Sequence, residues 1–398
     1  MIALCRHIKP LLLLVFSIAA LSCHAQSDAD SRLDSTEISL LTCSPHQEVY
    51  SLYGHTAIRV RNAVTGEDLV VNYGVFDFAQ PHFVTRFVFG LTDYSMGIMP
   101  FSLFYQEYRY YNSSVTQQTL NLTRAEKQNI LKALADNAQS PTYRYNYFHD
   151  NCTTRARDML TQHLDGEVHY QGAADSSATF RSMIHDYNEQ HPWARFGNDM
   201  LLGFGADRRT TRSETQFLPT NLMNDFATAT IEGEGGSRPL VKETREVVPG
   251  GVQVVESEFP LRPLSCFLLL LVVTLLVIVI EWKTGSTLWG YDAIVLTLSG
   301  LAGIVLTLMI FSHHPTVSLN LQLLLLNPLP LLLVIPVVRK TRRHLQHWWW
   351  KAWTVLIILF FVGSFIQKYA EGMFILALSL LCLCIWRLQK NSQKRKMK

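Results

Sequence analysis

The chain has 398 residues, enough for two or more domains rather than one uniform core. Its formal net charge of +3 is small for that length, and no basic run interleaved with aromatics occurs outside the flanks of apolar segments. That sets nucleic acid aside as a partner.

In chain order, the opening "MIALCRHIKPLLLLVFSIAALSCHAQS" has a basic start at Arg6 and Lys9, an apolar run from Leu11 to Leu21 and a small-residue end. It predicts a secretory signal over residues 1–25, cleaved after Ala25. A second reading, with Cys23 as a lipidated residue, stays open. Both place the following residues outside the cytoplasm.

Residues 26–262 form a mixed α/β region. "AIRVRNAVTGEDLVVNYGVFDF" reads as two alternating strands around a turn at Thr65-Gly66, a hairpin whose register sets Phe76 opposite His55. "TRAEKQNILKALADNA" opens with a Thr123–Glu126 capping box and continues at helical spacing through Ile130, Leu131 and Leu134. After Cys152, Ala156, Met159, Leu160 and Leu164 also recur at helical spacing, so the cysteine begins a helix with Asp150 or Asn151 as its cap. The polar, Gly-rich stretch 227–252 reads as a linker or an exposed hairpin.

Residues 263–398 carry apolar runs at 264–281, 290–312, 319–338, 353–366 and 370–386, predicting about five transmembrane helices. With residue 262 outside, the inner segments hold twelve Lys/Arg and the outer loops only Lys368, which directs the C-terminus to the cytoplasm. Trp348, Trp349, Trp350 and Trp353 then fall at the inner face, where an aromatic belt belongs. Asn327, Pro328 and Pro330 predict a kinked helix, with a substrate groove as the second reading.

Of seven cysteines, only Cys43 and Cys152 lie in the exported region outside the signal and apolar runs. Two cysteines do not make a disulfide framework, although a single Cys43–Cys152 bond stays open. A thiol in the first turn of a helix feels the positive end of the helix dipole, which favours thiolate, and Arg155 and Arg157 add positive charge nearby. His55, after a glycine at a strand start, is the candidate base. Asn72 and Asp77 are the candidates for orienting it. Each has a structural alternative: a packed thiol, a satisfied strand-end histidine, turn caps and a solvated arginine face. His313 and His314, in an outer loop, are either headgroup ligands or ordinary loop residues. No C-x-x-C or H-E-x-x-H spacing asks for a metal, and no cofactor is expected.

The order of "YGHTAIRV", "NYGVFDF" and "YNYFHDNCTTRARD" resembles the circularly permuted papain-like (NlpC/P60-like) hydrolases, in which a strand histidine precedes the helix-start cysteine. More narrowly, with the signal, "SHHPT" and "LLLLNPLPLLLV", the chain resembles the Bacteroidetes-type lipoprotein N-acyltransferase family, Lnb. The resemblance implies an α+β permuted papain-like periplasmic domain followed by an α-helical membrane domain, set in a bacterial inner membrane. It implies Cys152 as nucleophile and His55 as base, and leaves the third member open. The implied reaction moves an acyl chain from a membrane phospholipid to the α-amine of a lipoprotein through a cysteine thioester. The alternatives are a membrane-tethered cysteine peptidase or amidase of the same fold, and a non-enzymatic periplasmic sensor.

Overall fold

A computed structural model describes residues 32–46, 48, 51–173, 175–252 and 259–396. The predicted signal segment 1–25 lies outside them. The described residues divide into two units: those up to 178 together with 210–256, and 179–209 together with 257–398.

The first unit is rich in sheet. Strands with apolar residues on both faces form β1 (Thr36–Cys43), β2 (His55–Asn62) and β3 (Asp68–Val75). A six-residue helix α1 (Phe83–Val88) leads to β4 (Asp93–Pro100), which runs directly into α2 (Phe101–Tyr110). Next come β5 (Val115–Leu120), α3 (Arg124–Gln139), β6 (Thr142–Arg144), α4 (Cys152–Thr161) and β7 (Glu167–His169). The second unit receives α5 (Phe180–Tyr187) and α6 (Pro192–Leu201), after which α7 (Arg212–Thr215), α8 (Pro219–Thr228), β8 (Thr230–Gly233), β9 (Gly236–Pro239) and β10 (Val241–Val248) complete the first.

Seven strands build one sheet in the order β10-β5-β1-β2-β3-β4-β6, with antiparallel neighbours. Strand alternation divides its side chains between two cores. Leu40, Ile58, Val71 and Tyr73 pack with residues of α3, α4 and α8, while Leu41, Ala57 and Val70 pack with Phe104 and Tyr108 of α2. Ile58 is fully buried, so truncation to alanine would cost about 2–5 kcal/mol.

The Gly-rich stretch is no linker. β8 and β9 pair as a hairpin in a second, three-stranded sheet with β7, and β10 joins the edge of the large sheet beside β5. Buried Leu240 and Val248 anchor β10, while the exposed run from Lys242 to Glu246 keeps a charged edge in water.

The β2–β3 hairpin corrects the expected register. Asn62 Oδ1 accepts from the backbone N–H groups of Val64 and Thr65, 2.9 Å each, and this side-chain cap draws the turn centre to Val64-Thr65. The ladder therefore pairs Arg61 with Asp68 and Ala57 with Asn72, and Phe76 lies beyond the end of β3.

In the second unit, four segments are long and apolar enough to cross a membrane: Pro263–Thr284 (α9), Trp289–Ile310 (α10), Leu321–Arg342 and Met373–Lys390. A further apolar helix, α12 (Trp348–Gly363), has only 16 residues, so the five expected apolar segments are present as four of spanning length and one shorter helix. The third span is broken rather than kinked: a 3-10 turn at Leu321–Leu324 is followed by α11 (Leu329–Arg342), which starts after Pro328. Proline has no N–H to continue a helix, and the Asn327 side chain instead accepts from the Leu329 N–H at 3.2 Å. The last helix, α13, spans Met373–Lys396.

The expected tryptophan belt is also corrected. Trp349, Trp350 and Trp353 are fully buried in the helical core, and only Trp348 is exposed. Consecutive helical residues point in directions about 100° apart, so three adjacent indoles cannot share one lipid-facing stripe. Two residues of the basic C-terminal run also turn inward: Arg387 pairs with Glu281 at 2.5 Å and Asp292 at 2.7 Å, and Lys390 reaches Glu281 at 3.1 Å. Buried charge among apolar helices is held only when paired in this way.

Candidate active site

Asn151 caps α4: its Oδ1 accepts from the N–H groups of Thr153 and Thr154, 2.9 Å each, and the Thr154 hydroxyl accepts from the Asn151 N–H. Between the two expected caps the structure thus selects Asn151. Its Nδ2 also donates to the carbonyls of Tyr147 and Phe217, which fixes the approach to the helix. Cys152 is therefore the first helical residue, and its N–H has no acceptor among the described residues.

His55 opens β2. Gly54 before it adopts φ 75°, and a Cβ there would lie 2.5 Å from the Cys43 carbonyl oxygen, so the close turn requires glycine. The chain then sets His55 opposite Cys43 of β1 and two residues along β2 from the Ala57–Asn72 pair. His55 and Asn72 share a face, and His55 Nε2 meets Asn72 Oδ1 at 3.0 Å. That leaves Nδ1 clear of Asn72, and the Cys152 thiol and the imidazole lie close enough for each to act on the other's protonation. Thr56 ties the strand to the helix through its hydroxyl, 3.1 Å from that of Thr153.

The electrostatics follow from this packing. Burial opposes the Cys152 thiolate, but the His55 charge and hydrogen bond, the Thr56 N–H and the Thr153 hydroxyl outweigh it, and the thiol lies below its ordinary value. Burial likewise opposes the imidazolium. The thiolate and the bond to Asn72 reverse that and hold His55 above its ordinary value. The two shifts together favour a thiolate–imidazolium pair.

Asp77 is not brought to His55; its Oδ1 accepts from the Ala79 N–H at 2.8 Å and closes a turn. Arg155 forks onto Asp150 at 2.6 and 2.8 Å and lies over the Tyr143 ring. Arg157 is bound to Asp158, the Ser213 carbonyl and Gln216. Both guanidinium groups are thus committed within the unit. His313 and His314 belong to the second unit, in the loop after α10, where His313 is exposed and His314 half-buried.

Sequence reasoning missed the Thr56 N–H and the Thr153 hydroxyl as partners of the sulfur, although Thr153 adjoins it. It also missed Glu107 of α2, whose carboxyl is raised by burial and feels the His55 charge. Fifty-two positions separate Glu107 from His55 in the sequence, with no local pattern joining them. Cys43 and Cys152 are free thiols. Burial raises Cys43, whose partner is the Tyr108 hydroxyl, so it is the inert member of the two. Among the described residues no cluster of His, Cys, Asp and Glu is suited to a metal.

Residues 24–186 match the family model of the Lnb N-terminal periplasmic domain, and residues 254–395 that of the Lnb transmembrane domain. Neither a curated protein nor a solved structure matches the chain. A periplasmic domain joined to a transmembrane domain points to the inner membrane. With both of its parts matched in their family order, the chain belongs to the Lnb family.

Proposed function

We propose that the protein is a lipoprotein N-acyltransferase with a permuted papain-like thiol domain, in which Cys152 is the nucleophile, His55 the acid and base, and Asn72 the group that orients the imidazole. The observation that carries the reading is the Cys152–His55–Asn72 set at a helix start, in a chain of the Lnb family.

The Cys152 thiolate attacks an ester carbonyl of a glycerophospholipid, and its lone pair becomes the new C–S bond. The tetrahedral oxyanion meets the open N–H of Cys152 at the positive end of α4. As the C–O bond breaks, the His55 imidazolium gives its proton to the departing lysophospholipid alkoxide, leaving a thioester and a neutral imidazole. The α-amine of a lipoprotein's lipidated N-terminal cysteine then attacks the thioester. His55 takes the amine proton, the sulfur leaves as thiolate, and the resting ion pair is restored with an amide as product.

The membrane domain favours this reading over a papain-like peptidase or amidase. Both substrates are embedded by acyl chains, and a soluble peptide substrate requires no such platform. The excess of Lys and Arg in the segments expected on the inner side supports a cytoplasmic C-terminus.

The test is lipopeptide mass spectrometry in a host lacking its own N-acyltransferase. Wild type should add one acyl mass to lipoprotein N-termini, and Cys152→Ser should add none. An acyl group on Cys152, released by hydroxylamine, should come from labelled phospholipid. Identical lipopeptide masses with and without the wild-type protein would sink the assignment.

A further inference from the structure

An aromatic run leaves the nucleophile and ends at the surface. Gly74, near the end of β3 and at φ 84°, lies between the sulfur residue and a tyrosine: a Cβ there would stand 3.7 Å from Cys152 Cβ and 3.5 Å from the Tyr145 ring. Tyr145 stacks on Tyr94 at 4.3 Å between centroids, Tyr94 meets Phe76 at 5.2 Å, and Phe76 meets Phe83 at 5.9 Å. Phe83 continues to Phe78 at 5.0 Å and to Phe87 at 6.1 Å.

The far end is open to solvent. Phe78 is 64% and Phe87 48% exposed, and Val75 and Leu91 are exposed beside them. A domain outside the membrane seldom leaves so many adjoining apolar side chains in water without a use for them. Formal charge in the segment 75–91 is confined to Asp77 and Arg86. Asp77 closes its own turn, and Arg86 is paired with Asp93. A polar or anionic ligand would find little here, whereas hydrocarbon would.

We propose that the run from Phe78 and Phe87 to Tyr145 is the seat of the donor's acyl chain, which lies along the rings with its ester carbonyl at Cys152. This rests on the acyltransferase reading and names what recognises its first substrate. The occupant follows from continuity with the sulfur. A chain whose carboxyl carbon becomes bonded to Cys152 must lie against the side chains that adjoin the sulfur, and the aromatic run from Tyr145 to the exposed Phe78 and Phe87 begins there. The same protein carries membrane spans, so phospholipid is at hand.

The experiment uses the full chain in phospholipid bilayers, as the Cys152→Ser variant, with a phospholipid carrying a diazirine in its acyl chain. After photolysis, adducts should map within residues 75–91 and fall about tenfold in Phe78→Ser/Phe87→Ser, while those on the membrane spans persist. Adducts confined to 263–386, or unchanged by the double substitution, overturn the proposal. A second arm follows thioester formation on Cys152 in the otherwise wild-type chain. The double substitution should lower the long-chain to short-chain donor ratio about tenfold and leave iodoacetamide alkylation of Cys152 unchanged. An equal loss for both donors overturns chain recognition. Labelling within 75–91 by a wild-type protein that forms no thioester keeps the seat and rejects the acyltransferase reading.

Discussion

Two histidines, one in each unit, stand in opposite chemical situations. His185 has both ring nitrogens committed: Nε2 lies 2.9 and 3.0 Å from the Asp199 carboxylate oxygens, and Nδ1 accepts from the Arg195 guanidinium at 2.9 Å. Asp199 is in turn paired with buried Arg181 at 2.7 Å, which also holds Asp207 at 2.9 Å. His55 has a neutral amide on one side and a thiol on the other. An imidazole held between carboxylate and guanidinium is a bracket, because taking the proton from Nε2 or placing one on Nδ1 breaks a charge-assisted bond. One held between amide and thiol can exchange a proton with the sulfur while Asn72 keeps the ring in place.

The comparison breaks first at His55. His55→Ala should lower acyl transfer by about 10²- to 10⁴-fold, the usual worth of a positioned acid and base. It should also move the alkylation midpoint of Cys152 upward, because the imidazolium is the main influence opposing burial of the thiolate. A midpoint unchanged from wild type would show that the sulfur is not coupled to His55.

The opposite signature is expected at the bracket. Arg181→Met removes the cation shared by buried Asp199 and Asp207, a loss of about 3–5 kcal/mol. Thermal unfolding of the full protein in detergent should register it. The pH profile of Cys152 alkylation should stay where it is.

The pH profile sharpens the contrast in wild type. Cys152 lies below the ordinary thiol value and His55 above the ordinary imidazole value. The two shifts bring the thiol and imidazole values toward each other: the thiolate is lost as pH falls through the lowered thiol pKa, and the imidazolium as pH rises through the raised imidazole pKa. Iodoacetamide alkylation should persist below the pH at which an unperturbed thiol becomes unreactive. A midpoint at or above the ordinary thiol value would contradict the pair.

Smaller effects come from the residues that position the site. Asn72→Ala removes one hydrogen bond to the imidazolium and should reduce acyl transfer about 10- to 100-fold, with Asn72→Asp recovering part of it. Asn151→Ala should cost about 1 kcal/mol in unfolding by removing the α4 cap. A steady-state rate untouched by Asn72→Ala would remove that residue from the mechanism.

Features set by neighbours in the chain were legible: the Thr123–Glu126 capping box, the helix beginning at Cys152 and the apolar runs of the second unit. The hairpin was legible as a hairpin but not in its register, because the choice fell to one side chain, Asn62, bonding two N–H groups in the turn. The indoles of α12 were legible as aromatic but not as core, because a triplet of tryptophans carries no mark of which helices surround it.

The sequence by itself determined that a thiol would begin a helix outside the membrane and that a histidine would begin a strand, since caps, glycines and apolar periods act over a few residues. Only the tertiary structure decided that this histidine faces the thiol, that Asn72 rather than Asp77 holds it, and that Arg155 and Arg157 are already paired. Those outcomes depend on strand register and on contacts between distant segments, where a shift of one turn residue exchanges one partner for another.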